Sequence, residues 1–345
     1  MVNRRDVAKK AGVSPATVSR VLGNYGSVSP EIAARVLKVA TELGYRPNLA
    51  ARSLKTNRTG RIGVIVHDIT NPYYAEIVGG IEERAKMEGY TVSVCAASNV
   101  GDLDLVNGFL DQQFDGLVVA SSWYAFAHTR LPALAANGLP VVLGPEASPP
   151  PGDEHESHYH RVVYDWRGTV EAAVSYLIGL GHRRIAFLSS MNVNEENGKY
   201  LGYTAALAKH GLPYDERLVV SLLNPETNTS IQVGQKEMET LLARNVQPTA
   251  IMAFNDLVAM GAIATIIDAG LRVPEDISVM GQDDVALAAV MRPGLSTIRV
   301  PKIEQGRLLV WIIARLLQGE EIKKVWNLDG GLVIRQTTQR LQTQA

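Results

Sequence analysis

Residues 4–22 read RRDVAKKAGVSPATVSRVL. Val7, Ala8 and Ala11 fall on one face of a short helix that Gly12 ends. Ser14 is a good N-cap, and Pro15 sits at the first helical position, where its missing N–H costs nothing. A second helix then runs to about Leu22. Ser29-Pro30-Glu31 repeats the start signal for a third helix ending near Leu43, with Gly44 as the stop. Two short helices joined by a tight glycine turn and buttressed by a third form a helix-turn-helix. The second helix of that motif enters the DNA major groove with its N-terminal residues near base edges. Pro15, Ala16, Thr17 and Arg20 are therefore placed towards the duplex, with Arg20 alone able to fork onto guanine. Ser14 and Ser19 are expected to meet phosphates, which position the protein without reading sequence.

The charge balance supports a polyanion partner. Of 34 basic and 35 acidic side chains, the first 61 residues hold twelve and three, and the rest of the chain holds 22 and 32. A head at +9 is joined to a body at −10, an asymmetry expected of a nucleic-acid reader fused to a domain that does not touch nucleic acid. With 345 residues, 46% hydrophobic and 20% charged, the chain has apolar mass for more than one core. Cys95 is its only cysteine, which excludes an internal disulfide and suits a reducing, cytoplasmic setting. The longest apolar run, Leu257–Ile267, is bounded by Asp256 and Asp268 and is too short to span a bilayer. The N-terminus has no apolar core of a secretory signal. No phosphate loop, dinucleotide fingerprint, HExxH or GxSxG is present, so no catalytic group or cofactor is expected.

From Arg61 onward, short β-branched runs alternate with helical stretches. Strands are expected at 62–66, 91–95, 116–120 and 140–143, with helices at 73–87, 103–113 and 128–136 between and after them. A second series is expected to start with a strand at 161–164 and to continue through helix 166–180, strand 184–189, helix 197–210, strand 218–220, helix 229–244, strand 249–253, helix 256–269 and strand 277–280. Near-continuous apolar strands separated by helices imply parallel sheets covered on both faces. Two series imply two doubly wound subdomains, with ligands at the carboxyl ends of the strands. Asp68, Tyr73 and Tyr74 follow the first strand. Ser122 and Trp123 follow the third, and Asn224, Asn255, Asp256 and Asp283 follow later ones. Carboxylates and amides bind hydroxyls, and aromatic faces stack on sugar C–H surfaces. Asp256 is expected to cap the helix after it and also to border the cleft. Helix 301–317 is apolar nearly all round in its second half and reads as a buried core helix. Between head and body, Asn48 can cap a helix from Leu49 to about Lys55, too short to be stable alone in water.

DVAKKAGVSPATVSRVL, VSPEIAARVLKVATELGYRPN and AARSLKTNRTGRIGVIV resemble the lac repressor/galactose repressor (LacI) family of transcription regulators, densely over 4–66 and loosely to 338. The resemblance implies an all-α helix-turn-helix domain (1–47), a hinge (48–60) and a periplasmic-binding-protein-like α/β body (61–345). The body would divide into one subdomain of about 61–163 and 299–328 and another of about 164–298 and 329–345, with three crossings between them. It implies a homodimer on a pseudopalindromic operator, with Leu54 wedged into the minor groove and Arg52, Ser53 and Lys55 reaching phosphates. Tyr73, Tyr74, Ser122, Asp165, Asn255-Asp256 (in NDLVAMG) and Asp283 match its effector positions. Lys199, in KYLGY, stands where the family often has arginine, and Gln282 replaces a commoner aromatic residue. Asn224, Val193 and Glu195 include no aromatic or basic reader of a base, which favours a sugar effector over a purine; a nucleobase effector and a transport-type sugar receptor are the alternatives. The chain shows no leucine-heptad tail. His155, His158 and His160 with Glu154 and Glu156 could in principle ligate a metal, but the spacing fits no defined site, and an exposed connector without metal is expected there.

Overall fold

The computed structural model describes residues 2–23, 27–45, 58–98, 100–121, 129–147, 156–189, 197–221 and 229–342. The expected hinge helix, with Arg52, Ser53, Leu54 and Lys55, lies outside these residues. The chain divides into two compact units, 1–59 and 60–345.

In the first unit, α1 (Arg4–Ala11) starts with a reciprocal cap between Asn3 and Asp6 and ends on Gly12 at φ +66°. Helix α2 (Pro15–Gly23) runs one residue further than the sequence pattern predicts, and α3 (Pro30–Glu42) is capped by Ser29. Val7, Ala8, Ala11, Val18, Val36, Val39 and Ala40 are buried together, with Val13, Val21, Leu22 and Ile32 packed at the edge. Small side chains at Ala8, Ala11 and Ala40 let three short helices share one core.

The second unit is built on two parallel sheets. The first contains β1 (Arg61–Val66), β2 (Thr91–Ala96), β3 (Gly116–Ala120), β4 (Val141–Leu143), β5 (His160–Tyr164) and β11 (Val325–Leu328), in the order β11-β5-β4-β3-β1-β2. Four helices accompany it: α4 (Pro72–Glu88), α5 (Leu103–Leu110), α6 (Leu131–Ala136) and α12 (Lys302–Leu317). The second contains β6 (Ile185–Leu188), β7 (Val219–Val220), β8 (Ala250–Ala253) and β9 (Ser278–Met280), in the order β7-β6-β8-β9. Helices α7 (Trp166–Gly179), α8 (Gly198–Lys209), α9 (Ile231–Ala243), α10 (Asp256–Asp268) and α11 (Ala286–Val290) belong to this second lobe. An antiparallel pair, β10 (Thr297–Arg299) and β12 (Gly331–Val333), joins it through bridges from Met280 and Asp283.

One expectation is corrected. The strand at 160–164 does not open the second series; it pairs with β4 and β11 in the first sheet. Its burial alternates, with Val162 and Tyr164 on one side, and its sheet is identified by its pairing with β4 and β11 rather than by its apolar run. His160 lies in this strand and is buried, with Nδ1 3.1 Å from the Lys323 carbonyl oxygen, so it is no part of an exposed connector.

The chain crosses between the lobes after β5, after β10 and after β11. Tyr164 Oη donates to the Arg299 carbonyl at 3.1 Å. A Cβ on Gly330 would lie 2.2 Å from Tyr164 Oη and 2.3 Å from the Arg299 oxygen. The three crossing segments thus touch side by side only because one of them presents bare backbone. The same device fuses α4 to α12. A Cβ on Gly80 would lie 2.2 Å from the Ile303 carbonyl oxygen, and one on Gly306 2.1 Å from that of Ile77. Helix α12 buries Leu309, Val310, Ile312 and Ile313 in this contact and against the sheet, as its apolar second half predicts.

Gly306→Ala should therefore push two helix backbones apart. We expect it to cost about 1–3 kcal/mol, the range for overpacking a tight contact, read as a lower denaturant midpoint of the full-length protein.

Candidate functional site

On the first unit, Ser14, Pro15, Ala16 and Arg20 are exposed along the start and outer face of α2, and Thr17 and Ser19 are half-buried. Ser14 Oγ accepts from the Thr17 amide at 3.1 Å and lies 2.9 Å from Thr17 Oγ1, so it caps the helix. Ser19 Oγ donates to the Pro15 carbonyl at 3.1 Å and accepts from Arg4 Nη1 at 2.7 Å. Arg4 is thereby fixed beside the exposed face. Sequence reading did not single it out because it lies fifteen residues from Ser19, on another helix.

In the body, side chains converge where the first-sheet strands end and the crossings begin. Asn71 caps α4 by accepting from the Tyr73 amide at 3.0 Å, which sets Tyr73 and Tyr74 on its first turn. Their rings meet edge to face at 5.0 Å, and His67 lies 5.9 Å from Tyr74. Tyr73 Oη donates to the Glu146 carboxylate. Gln305 Nε2, on α12, donates to both oxygens of that carboxylate at 3.3 Å. Burial lifts the Glu146 carboxyl above its ordinary range, while the bonds from Tyr73 and Gln305 and the charge of Lys199 pull it back. Both phenols are pushed well above 10, first by burial and then by Glu146 and Asp283. Asp68 is folded onto its own turn, with Oδ1 accepting from the amide and hydroxyl of Thr70 at 2.8 and 2.7 Å.

From the second lobe, Lys199 Nζ donates to the Phe254 carbonyl at 2.9 Å. It lies 3.9 Å from the centre of the Phe254 ring and 4.8 Å from that of Trp166, a cation held against two π faces. Burial lowers its pKa to about 8, against the opposing pull of Asp283, Glu146 and Asp256. Asp283 is only 5% exposed, and its φ is +117°. Burial raises its carboxyl to about 7, while Lys199 and Lys302 hold it down. Two carboxylates and one ammonium thus face one another among tyrosine, tryptophan and phenylalanine rings.

Two sequence expectations shift. The cap of α10 is Asn255, not Asp256: Asn255 Oδ1 accepts from the Val258 amide at 3.0 Å, and its Nδ2 donates to Thr229 Oγ1 at 2.8 Å. Asp256 is the first residue inside the helix and is fully buried. It accepts from the Val285 amide at 2.9 Å and from Thr297 Oγ1 at 2.5 Å, bolting the segment after β9 to β10. Asp165 is exposed and caps α7 by accepting from the Gly168 amide at 2.8 Å; its neighbour Trp166 is the residue that meets Lys199. Ser122, Trp123, Asn224, Val193, Glu195, His155 and Glu154 lie outside the described residues. Glu146, Trp166, Phe254 and Gln305 escaped sequence reading. Glu146 had the one available signal: it follows a strand end, three residues after Leu143.

His158 lies in a single helical turn, and Glu156 pairs with Arg161 at 2.8 Å. Among the described residues no group of three or more His, Cys, Asp or Glu is arranged to hold a metal ion. Among them also, no helix is long and apolar enough to cross a membrane.

Residues 5–48 match the model of bacterial regulatory proteins of the lacI family, and residues 174–338 match a periplasmic binding protein-like domain. Catabolite control protein A of Priestia megaterium is 33% identical, over 96% of this chain and 98% of its own. The lac repressor dimer bound to operator and the anti-inducer ONPF superposes with a TM-score of 0.79 at 27% identity, over 98% of this chain and 99% of the other. The complex of the transcriptional regulator CelR with cellobiose gives 0.69 at 28% identity, over 98% and 100%. A helix-turn-helix head, a two-lobed body and these end-to-end likenesses agree: the chain belongs to the LacI family and is a DNA-binding transcriptional regulator, not an enzyme.

Proposed function

We propose that this regulator represses carbohydrate-utilisation genes in the cytoplasm, binds a pseudopalindromic operator as a homodimer and releases or grips it according to a small uncharged sugar held between its lobes. The observation that carries the reading is the set Glu146, Asp283 and Lys199 ringed by Tyr73, Tyr74, Trp166 and Phe254. Carboxylates accept from hydroxyls, the ammonium donates to them, and rings cover the C–H faces of a pyranose. The CelR relative holds cellobiose, in keeping with this class. A sugar phosphate is a poor fit, because Glu146 and Asp283 already crowd negative charge around one lysine. The two-fold operator follows from half-site geometry. On it Arg20 would read a base, Arg4 beside Ser19 would meet backbone phosphate, and Leu54 with Arg52, Ser53 and Lys55 would occupy the minor groove. Effector control follows if the sugar prefers one lobe arrangement, since only differential affinity shifts an equilibrium.

The reading is tested by thermal unfolding of the full-length protein against a panel of neutral mono- and disaccharides and their phosphates, because a ligand selective for the native state raises the midpoint. A neutral sugar should raise it, and its phosphate should raise it less. A response confined to phosphates or nucleobases rejects the sugar.

For the sugar so found, affinity should be bell-shaped in pH. Below about 7 Asp283 gains a proton and accepts from hydroxyls more weakly, without its charge; above about 8 Lys199 loses one and its charge with it. Asp283→Ala should weaken binding about tenfold or more, from a lost charged hydrogen bond of about 1.5–3 kcal/mol, and should erase the acid limb while operator affinity of the ligand-free protein stays put. Calorimetric titrations from pH 6 to 9 measure both effects.

Leu54→Gly should weaken specific operator binding strongly and leave sugar binding intact, since it removes the wedge and not the cleft. Gel shifts on specific and scrambled duplexes at two salt concentrations separate this loss from the general phosphate attraction.

A further inference from the structure

Lys302 opens α12 in the first lobe, yet its side chain is only 4% exposed. Its ammonium reaches out of that lobe. Nζ donates to the carbonyl oxygens of Asp283, of Asp284 at 2.9 Å and of Val300 at 3.4 Å, and lies 3.4 Å from the Glu76 carboxylate on α4. Glu76 makes a second link: its Oε1 accepts from the Ala286 amide at 3.3 Å, at the start of α11. Asp283 and Asp284 both have positive φ, +117° and +54°, a conformation that costs a non-glycine residue free energy. Something must hold this turn, and the lysine is placed to do so, since both carbonyls are directed at one buried cation. The turn is also pinned from its own side. Asp284 Oδ2 accepts from Arg299 Nε at 2.8 Å, and Oδ1 accepts from Arg335 Nη2 at 2.6 Å. Neither arginine belongs to the first lobe's helices. Lys302 and Glu76 tie the turn to α4 and α12, which the Gly80–Gly306 contact fuses into one body.

We propose that Lys302 is a positioning residue for the cleft, its first-lobe ammonium gripping the turn that presents Asp283 so that the sugar-facing carboxylate is aimed by the helical frame of the opposite lobe. Glu76 orients the lysine and holds the helix that follows the turn. The groups that act on the Asp283 carboxylate come from several elements: Lys199 on α8, Lys302 on α12, Glu76 on α4 and Glu146 after β4, and its own charge in turn raises the buried carboxyl of Asp256 on α10. Removing Lys302 deletes one of two cations in that set, so the carboxyl should hold its proton to higher pH. A sugar bridging Glu146 and Asp283 would then be met by a carboxylate whose turn is held from the opposite lobe. That a sugar sits there rests on the function proposed above; the clasp does not.

The test therefore uses the full-length, ligand-free protein. Amide hydrogen exchange is followed by mass spectrometry in wild type, Lys302→Met and Glu76→Gln. Exchange across 283–286 should quicken about tenfold in Lys302→Met and less in Glu76→Gln, with β6 peptides unchanged. Unchanged exchange across 283–286 in both variants overturns the clasp. If Lys302→Met quickens everywhere, β6 included, Glu76→Gln decides: local quickening supports the clasp, and wild-type rates reject it. The positioning role has its own readout, the ¹³C titration of the Asp283 carboxyl, assigned with Asp283→Asn. Its midpoint should rise by about half a unit or more in Lys302→Met. A midpoint that stays at the wild-type value overturns the positioning role and leaves Lys302 a packing residue. A protein that shows both effects yet answers no sugar loses the effector reading and keeps this one.

Discussion

Glu146, Asp256 and Asp283 are carboxyls withdrawn from water around Lys199 and Lys302. Like charges so placed cannot all ionise at their ordinary pKa. The body meets this cost with specific partners. Tyr73 and Gln305 donate to Glu146, Val285 and Thr297 donate to Asp256, and Lys199 and Lys302 hold Asp283. Each partner comes from another element, so the polar cluster pins the ends of the strands and the crossing segments in one arrangement. This is why the proposed ligand is neutral and hydroxyl-rich: an added anion would have to share two cations with three acids.

The packing beneath follows from small residues rather than large ones. Three crossing segments meet at Gly330, and α4 meets α12 through Gly80 and Gly306. The same close approach joins α9 to α10, where Cβ atoms on Gly234 and Gly261 would lie 2.2 and 2.0 Å from the backbone oxygens of Val258 and Ile231. Backbones pressed together this way slide poorly, because interiors are close-packed and resist continuous deformation. Each lobe is thus stiff.

Local signals carried the head of the chain. Ser14-Pro15 and Ser29-Pro30 announce two helix starts, Gly12 and Gly44 announce two stops, and the periodicity of Val7, Ala8, Ala11 and Val18 names the core. In the body, β-branched runs such as IGVIV located the strands but not their sheets. β5 was misassigned because its sheet is set by pairing with β4 and with β11, and pairing partners are not written in a local apolar run. The site was legible in part. Tyr73, Tyr74, Lys199 and Asp283 follow strand ends or a family motif, and they do converge. Asp256 was misread because an Asn-Asp pair offers two capping side chains, and only the dihedral angles say which one caps. Glu146, Gln305 and Lys302 gave little signal, since their roles arise from partners on other elements.

On the function proposed above, that last group accounts for how a ligand would engage both lobes. Asp283 belongs to the segment after β9, and it is braced within its own lobe by Asp284, Arg299 and Arg335. Were those its only supports, a ligand on Asp283 would sense the second lobe alone. The donors on Glu146, Tyr73 and Gln305, lie on the first lobe's helices α4 and α12, so the proposed sugar, touching both carboxylates, would span the lobes. Its affinity would then depend on their separation, whichever sugar it is. A dependence of binding on lobe separation is, by linkage, a dependence of lobe separation on binding.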